Sequence, residues 1–400
     1  MRYRRVKSEA DARGQVFTPV ETARLMARHL PPDAKTVLDL GAGDGALTQA
    51  TLQRCPDARV VAVEIQHELV RQLRRSYPEL EVHRTDVVND QSLRKALGRR
   101  RFCCAISNPP FGFSPVDSAR AALMSETHGA SLFTGEWVRN ELLFLAAGWE
   151  RLKAGGQLVM LLPAPLVTGP AHEPFRRWLC ANSHTLNVSE LPEGVFPSVE
   201  VTCYIVAAEK RGKMAAARSV TLHQADLKGR KVASMTVAAG KAVSRMDYAF
   251  HQSIREFHKR NDCGGPPLGR FVTELVRGSY TRKEFEVLGR PCIHTSDFSD
   301  RTARLRLGSG DRDGALIAGP GDILVPRVGT RCLLRQAIVH SGSRAFTEAV
   351  YRIRVPAIHR QLVLRTLESD LGRSWRELHA QGSCAKHLTV PVLLSMPLSS

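Results

Sequence analysis

Short β-branched segments alternate with helical stretches between residues 35 and 209, and this rhythm restricts the fold more than any other feature of the chain. We predict strands at residues 36–40, 59–64, 80–84, 102–107, 157–162, 186–191 and 201–208. Strands and helices in this order form a mostly parallel sheet covered on both faces, and ligands bind beyond the carboxyl ends of its strands. The chain is therefore predicted to begin with an α/β domain built on seven strands.

Net charge changes near the end of this predicted domain. The 400 residues carry 57 Lys and Arg against 39 Asp and Glu, a formal net charge of +18. Up to Ala208, 25 basic residues stand against 22 acidic ones; beyond it, 32 stand against 17. An excess of +15 in the second part favours binding of a polyanion, because phosphate contacts dominate the affinity of such complexes. The alternative is a solvated basic surface without a specific partner.

The second part of the chain also has a different organisation. Gly and Pro clusters recur after residue 240, together with short β-rich runs and helical patterns at residues 247–260 and 360–371. The preceding stretch is rich in Ala, Lys and Arg and contains few large apolar residues. We predict a catalytic domain over residues 1–212, a connector over 213–239 with one hairpin at most, and an α+β domain over 240–400.

Hydropathy and cysteine spacing indicate the cellular environment. No run of about 18 uninterrupted apolar residues occurs, so we expect a soluble, cytoplasmic protein that has no contact with a membrane. The nine cysteines form no CxxC pair, which favours reduced thiols over disulfides and predicts no metal site.

A glycine-rich turn follows the first predicted strand. Gly41, Gly43 and Gly45 precede a helical stretch, so the backbone can approach a ligand and present free N–H groups to it. The second strand ends at Glu64, where a carboxylate can accept both hydroxyls of a ribose, and Asp86 after the third can accept from an exocyclic amine. These residues predict a nucleoside cofactor. A plain structural turn, and an Asp86 that only caps the next helix, are the alternatives.

The fourth predicted strand ends in Asn108-Pro109-Pro110-Phe111, which carries the strongest chemical signal in the chain. Proline removes backbone donors and stiffens the loop, so the Asn108 side-chain oxygen and the Pro109 carbonyl remain as acceptors. An NH₂ group held by both would bend toward tetrahedral geometry and direct its lone pair at an electrophile. The Phe111 ring would stack on the heterocycle that bears this amine, a contact worth about 1–3 kcal/mol for bases.

These motifs, in this order, resemble those of the γ-order adenine-N6 DNA methyltransferases over residues 14–210. The resemblance implies a Rossmann-like, S-adenosylmethionine-dependent methyltransferase fold with no metal. It implies these cofactor contacts: Phe17, Thr18, Pro19, Asp39, Gly41, Gly43, Glu64 and Asp86. It implies that these residues receive the target base: Asn108, Pro109, Pro110 and Phe111. Phe196 matches a family position where an aromatic ring packs on the extruded base, although a core Phe at the start of a strand is the alternative.

The C-terminal part resembles a target-recognition domain of Type I restriction specificity subunits. The motifs that carry this resemblance are Ser244–Tyr248, Gly278–Tyr280, Gly289–Asp297, Gly321–Gly329 and Gly382–Leu388. Arginines on or near predicted loops are candidates for DNA contacts: Arg301, Arg304, Arg306, Arg327, Arg331 and Arg335. Arginines at loop tips can hold phosphates or grip guanine in the major groove, and the sequence does not separate these roles from simple solvation.

The resemblance therefore implies methyl transfer from S-adenosylmethionine to the N6 amino group of an adenine rotated out of duplex DNA. N4 of cytosine remains an alternative target, as do bases of ribosomal or transfer RNA and the glutamine of release factors, since each is a planar nitrogen. A non-catalytic DNA-binding module is the alternative outside enzymes. A separate restriction endonuclease is a candidate partner, and we expect the chain itself to be a monomer.

Overall fold

The predicted strands of the first part assemble into one mixed sheet. The described residues before position 240 form these strands: β1 Thr36–Leu40, β2 Arg59–Glu64, β3 Glu81–Arg84, β4 Phe102–Ser107, β5 Phe113–Pro115, β6 Trp137–Arg139, β7 Leu152–Pro163, β8 Ser183–Glu190, β9 Cys203–Lys210, β10 Ser219–Ala225 and β11 Lys231–Ala238. All except β5 and β6 belong to one sheet in the order β11-β10-β8-β9-β7-β4-β1-β2-β3. Pairing is parallel from β3 to β7 and antiparallel on both sides of β9. All seven predicted strands are confirmed.

The chain divides into two units, Met1–His251 and Gln252–Ser400. The computed structural model describes residues 16–118, 120–121, 123–124, 136–196, 202–260, 264–298, 302–308, 316–329, 331–380 and 386–398. Within these residues, no helix is long and apolar enough to cross a membrane. The same residues contain no group of three or more His, Cys, Asp or Glu side chains that could hold a metal ion.

Helices cover both faces of the first sheet because its central strands bury apolar side chains on each side. Leu38 and Leu40 of β1 belong to one core cluster, whereas Val37 belongs to the cluster on the opposite face. The helices of this unit are Val20–Ala27, Ala46–Arg54, His67–Ser76, Asp90–Leu97, Asn140–Arg151, Ala164–Thr168, Glu173–Asn182 and Ala239–Ala242, and Tyr248–Arg260 crosses the division between the units. This arrangement brings the carboxyl ends of β1, β2, β3 and β4 to one edge.

The stretch expected to be a connector is instead part of the first sheet. β10 pairs in parallel with β8, and β11 pairs antiparallel with β10, because Val220 and Leu222 alternate into the core. The following residues are also bound to this unit, since the buried Arg176 guanidinium donates to the carbonyls of Val243 and Ser244. The division therefore falls after His251 rather than near residue 240, and Ser244–Tyr248 lies in the first unit.

The second unit has the α+β character that its turn-rich sequence predicts. Its described strands are β12 Glu274–Arg277, β13 Cys292–Ile293, β14 Thr302–Arg306, β15 Ile317–Ala318, β16 Ile323–Pro326, β17 Gln336–Ser341, β18 Arg344–Phe346 and β19 Val350–Arg354. They form a sheet of order β12-β19-β16-β17-β14 and a smaller one of order β13-β18-β15. Its helices are Arg282–Val287, Ala357–Glu368, Asp370–His379 and Val390–Leu394.

Candidate active site

Three glycines shape the turn between β1 and the helix Ala46–Arg54. Gly41, Gly43 and Gly45 have φ angles of 73°, 58° and 91°, a left-handed conformation that side chains with a Cβ atom rarely adopt. A Cβ atom on Gly41 would lie 3.0 Å from Cε1 of Phe144. The Gly41 amide donates to the Val63 carbonyl at 2.9 Å, which ties the turn to the end of β2. The turn thus leaves an open backbone cradle beside the end of β1.

Glu64 organises this cradle from the end of β2. Its carboxylate is buried and accepts three backbone hydrogen bonds, from Gly43 to Oε2 at 2.9 Å and from Ile65 and Gln66 to Oε1 at 2.8 and 2.9 Å. A carboxylate offers about four acceptor positions. Acceptor capacity therefore remains at Oε2, where the ribose contact expected from the sequence would be made.

Asp39 lies inside β1 with its side chain fully buried. Its Oδ2 accepts a hydrogen bond from the Thr48 hydroxyl at 2.6 Å, whereas Oδ1 has no partner among the described residues. Burial raises the pKa of Asp39 to about 7, and the bond from Thr48 opposes this effect. A buried acceptor without a donor is costly, so Oδ1 is suited to receive a donor from a ligand in the cradle.

Asp86 follows β3 at the same edge of the sheet. Its Oδ1 accepts from the Val88 amide at 3.1 Å, and Oδ2 takes no hydrogen bond from the described residues. The next helix, Asp90–Leu97, is capped by the Asn89 side chain, which accepts from the Ser92 amide. Asp86 is therefore not the cap of that helix, and one of its oxygens remains open to a ligand.

The Asn108 loop at the end of β4 contacts the segment that precedes the first helix. The Asn108 side-chain nitrogen donates to the Val16 carbonyl and to the Thr18 hydroxyl, each at 2.9 Å. Both of its donors are thus used, and Oδ1 accepts no hydrogen bond from the described residues. The Pro109 carbonyl likewise has no donor there. Two consecutive residues therefore each keep an acceptor on a loop that proline stiffens.

The segment that holds Asn108 is itself anchored to the first helix. Thr18 is buried, and the Pro19 carbonyl accepts from the Ala23 amide at 2.9 Å, so the segment runs directly into Val20–Ala27. Pro19, and not Thr18, occupies the N-cap position. The Phe17 side chain is 52% exposed. The Phe17 ring is therefore accessible, and the residues on either side of it, Val16 and Thr18, bind Asn108. Gly14 and Gln15 lie outside the described residues.

Two aromatic residues predicted to contact the target base belong to one apolar cluster. Phe111 is half-buried and packs against this cluster, of which Phe196 is a buried member with 4% exposure. Phe196 is thus a core side chain in this state of the protein. Phe111 retains accessible surface next to the free acceptors of Asn108 and Pro109.

Residues that no sequence pattern singled out fix the far side of the loop. The Asn140 amide donates to the Gly112 carbonyl at 3.1 Å, and the Asn140 side chain accepts from the Ser114 hydroxyl at 2.7 Å. Glu141, the next residue, is fully buried with no hydrogen-bond donor to its carboxylate among the described residues, and Arg139 Nη1 lies 3.5 Å from its Oε1. Burial raises the pKa of Glu141 to about 7, against the opposing charge of Arg139. A carboxylate within an otherwise apolar helix was the signal available in the sequence.

The arginines predicted to bind DNA differ in their surroundings. Arg327 Nε donates to the Glu348 carbonyl at 2.7 Å, and Arg335 Nη1 donates to the Phe298 carbonyl at 2.9 Å, so both support the fold of the second unit. The remaining described candidates are exposed and have no ion-pair partner among the described residues: Arg304, Arg306 and Arg331. Arg301 lies outside the described residues.

Comparison with known proteins connects this geometry to methyltransferases. Residues 20–127 match the family model of the methyltransferase small domain. Release factor glutamine methyltransferase of Koribacter versatilis (strain Ellin345) is 29% identical over 144 residues, which cover 36% of this chain and 51% of that protein. Trans-aconitate 2-methyltransferase of Azoarcus sp. (strain BH72) is 41% identical over 63 residues, 16% of this chain and 25% of that protein. The chain thus spans about half the length of the first relative and a quarter of the length of the second.

Solved structures share the fold at low sequence identity. The type IIG restriction endonuclease BpuSI has a TM-score of 0.53 at 13% identity, covering 96% of this chain and 59% of that one. A nuclease-deletion mutant of the Type ISP restriction-modification enzyme LlaGI has a TM-score of 0.51 at 11% identity, covering 69% and 34%. The first unit has the fold of the S-adenosylmethionine-dependent class I methyltransferases.

Proposed function

We propose that this protein transfers the methyl group of S-adenosylmethionine to the N6 amino group of an adenine extruded from duplex DNA. One observation carries the proposal. Asn108 uses both of its donors to hold the Val16–Thr18 segment, so its Oδ1 and the Pro109 carbonyl are left as a pair of acceptors for an NH₂ group. A planar amine has two hydrogens to donate, which matches two acceptors on a rigid loop.

The residues around the glycine turn fit S-adenosylmethionine. Asp39 has a buried oxygen without a donor, Glu64 has one acceptor position left, and Asp86 has a free Oδ2. We assign Asp39 to the amino group of the methionine part, Glu64 to a ribose hydroxyl and Asp86 to the amino group of the cofactor adenine. The segment Phe17-Thr18-Pro19 would close over the cofactor, because Thr18 is already bonded to the catalytic loop.

The chemistry follows from the two acceptors. When bound, the cofactor supplies an electrophilic methyl group on a positively charged sulfur. Asn108 Oδ1 and the Pro109 carbonyl accept from the two amine hydrogens, which draws the nitrogen out of conjugation with its ring and leaves its lone pair available. As the new N–C bond forms and the methyl–sulfur bond breaks with its electron pair left on sulfur, positive charge develops on the nitrogen. This charge strengthens both hydrogen bonds, so these groups bind the transition state more tightly than the substrate. One of the two protons then leaves to water.

Phosphate contacts in the second unit would offset the cost of extruding the base. Rotating a base out of the stack costs a few kcal/mol. Arg304, Arg306 and Arg331 are exposed, and the second unit, residues 252–400, carries 23 Lys and Arg against 14 Asp and Glu, a net charge of +9. The structure of the LlaGI mutant, whose fold resembles that of this chain, is a complex with a DNA substrate mimic. We assign the second unit, residues 252–400, to recognition of the DNA sequence, whether the protein acts alone or beside a separate restriction endonuclease.

The glutamine side chain of a protein is a second candidate target. The release factor glutamine methyltransferase of Koribacter versatilis is similar over 36% of this chain, and an amide NH₂ presents the same two donors to Asn108 and Pro109. This candidate does not explain the basic second part, because a glutamine substrate requires no phosphate contacts. RNA bases share the amine but would not require extrusion from a duplex.

Labelled S-adenosylmethionine distinguishes these targets. The protein is incubated with unmethylated duplex DNA, with RNA and with a release-factor protein, and the labelled product is identified after hydrolysis. We expect N6-methyladenine at a fixed short DNA sequence, and modification-sensitive sequencing of DNA from a methylation-free expression host gives that sequence. Label that enters only RNA or protein, or that appears as N4-methylcytosine, refutes the proposed target.

A further inference from the structure

A two-stranded ribbon projects exposed aromatic side chains immediately after the catalytic loop. β5 and β6 pair antiparallel, with Phe113 opposite Arg139 and Pro115 opposite Trp137. Because side chains alternate along a strand, these four residues share one face, and the intervening Val138 lies on the other. Val138 is buried in the core of the first unit. The ribbon is thus fixed by one face and presents Phe113, Pro115 and Trp137 outward on the other, beside the nearly buried Arg139.

The outward face carries two exposed aromatic rings and an exposed proline. The Phe113 side chain is 46% exposed and that of Trp137 is 55% exposed, and Pro115 beside them is exposed as well. Large apolar side chains clustered at the surface indicate a binding site, whereas isolated ones do not. Gly112 alone separates Phe113 from Phe111, so this face continues directly from the loop proposed to receive the target base.

A cation holds one of these rings in place. The Arg139 guanidinium lies over the Phe113 ring, 4.7 Å from its centroid, and is itself nearly buried. The Glu141 carboxylate, 3.5 Å from Arg139, fixes that guanidinium from below. A ring that is already oriented loses little side-chain entropy when a ligand stacks on it. The arrangement therefore prepares Phe113 for contact through its exposed side.

We propose that the outward face of the β5–β6 ribbon, formed by Phe113, Pro115 and Trp137, binds nucleobases that flank the target base by stacking on their planes. This inference rests on the proposed function, since it assigns a further contact to the same nucleic-acid substrate. Nucleobases fit this face better than a protein does, because it offers ring planes beside an arginine on a chain of net charge +18. Stacking tolerates any base, so the face would support extrusion without reading sequence.

Trp137 supplies the readout. The chain contains four tryptophans; Trp149 and Trp375 are buried and Trp178 is half-buried, so Trp137 is the most accessible. The full chain is titrated with a mixed-sequence single-stranded oligonucleotide of about 16 nucleotides, whose bases are unpaired and need no extrusion. We expect the oligonucleotide to quench the tryptophan fluorescence of the wild type. Trp137→Phe should show no such quenching, but it should bind with nearly unchanged affinity because it keeps an aromatic ring.

Affinity then separates stacking from phosphate contact. Trp137→Ala should weaken binding of this oligonucleotide by about five- to a hundredfold, the range that one base–aromatic stack supplies. Leu227→Ala, which removes an apolar side chain that is 65% exposed elsewhere in the same unit, should leave the affinity unchanged. Thermal unfolding and cofactor binding should match the wild type in every variant, because these side chains lie at the surface.

Two results would overturn the ribbon assignment: wild-type affinity for the oligonucleotide in Trp137→Ala, or an absence of tryptophan quenching when the wild type binds it. The proposed function fails separately. If methyl enters no DNA while Trp137 is still quenched and required for binding, the ribbon assignment stands and the DNA-methyltransferase proposal does not. If DNA is methylated equally by the wild type and Trp137→Ala, the proposed function stands and the ribbon assignment does not.

Discussion

Replacement of Asn108 by alanine removes two different roles of this side chain at once. The variant loses the two hydrogen bonds from Nδ2 to Val16 and Thr18, and it loses Oδ1 as an acceptor for the target amine. Each neutral hydrogen bond contributes about 1 kcal/mol, and a bond to a nitrogen that becomes positively charged contributes about 1.5–3 kcal/mol. The combined loss of about 3.5–5 kcal/mol corresponds to a fall in kcat/KM of roughly 10²- to 10⁴-fold.

A second variant isolates the supporting role. Thr18→Val removes one of the two acceptors for the Asn108 donors and leaves Oδ1 in place, so kcat/KM should fall only about fivefold. Both rates are measured as transfer of labelled methyl to duplex DNA, and the Kd for S-adenosylmethionine is measured by calorimetry. We expect that Kd to rise by about tenfold or less in both variants, since Asn108 is assigned to the target amine. The reasoning is refuted if Asn108→Ala loses no more activity than Thr18→Val, or if it loses cofactor binding altogether.

Two further predictions concern stability and DNA affinity. The folded-state pKa of Glu141, about 7, exceeds the value of about 4.3 in an unfolded chain, so its contribution is complete below pH 4 and is lost as the pH rises to 7. The free energy of unfolding of the wild type should therefore decrease between pH 4 and 8, and in Glu141→Gln this decrease should be smaller by about 3 kcal/mol, measured by urea denaturation. An equal decrease in the two proteins contradicts the assignment. Arg304→Ala combined with Arg306→Ala should reduce the slope of log Kobs for DNA against log salt by about two. Arg335→Ala should instead lower thermal stability, because this arginine donates to the Phe298 carbonyl, and equal slopes in the two variants would contradict this distinction.

The central strands could be predicted because burial on both faces leaves a continuous apolar run. β1, β2 and β4 have the bounds that the sequence predicts, and the polar residues after them mark the edge where ligands bind. β11 could not be found in this way, since it lies at the edge of the sheet with alternate side chains exposed, and its Lys and Ser residues resemble a linker. β5 and β6 are three residues long and far apart in sequence, so their pairing leaves no local pattern.

The site residues likewise divide into those that strand positions reveal and those that depend on tertiary contacts. Glu64 ends β2, Asp86 lies two residues after β3 and Asn108 directly follows β4, so strand order alone brings them to one edge. Arg139 and Glu141 depend on tertiary contacts: a carboxylate in an apolar helix is visible in the sequence, but its partner is not. The sequence likewise does not distinguish the arginines of the second unit from one another. Only the structure separates Arg335, which donates to a backbone carbonyl, from the exposed Arg304.

The hairpin formed by β10 and β11 supports the Asn108 loop from a distance. The Arg28 guanidinium, one residue beyond the helix Val20–Ala27, donates to the Gly229 carbonyl at the turn of this hairpin, at 2.9 Å. That helix begins at the segment whose Thr18 accepts from Asn108. A Cβ atom on Gly229 would lie 2.8 Å from the Glu21 carbonyl oxygen, so the turn and the helix are in close contact. The stretch that composition alone marks as a connector therefore fixes the helix that positions the Asn108 donors, and changes at its turn should alter catalysis before they alter DNA binding.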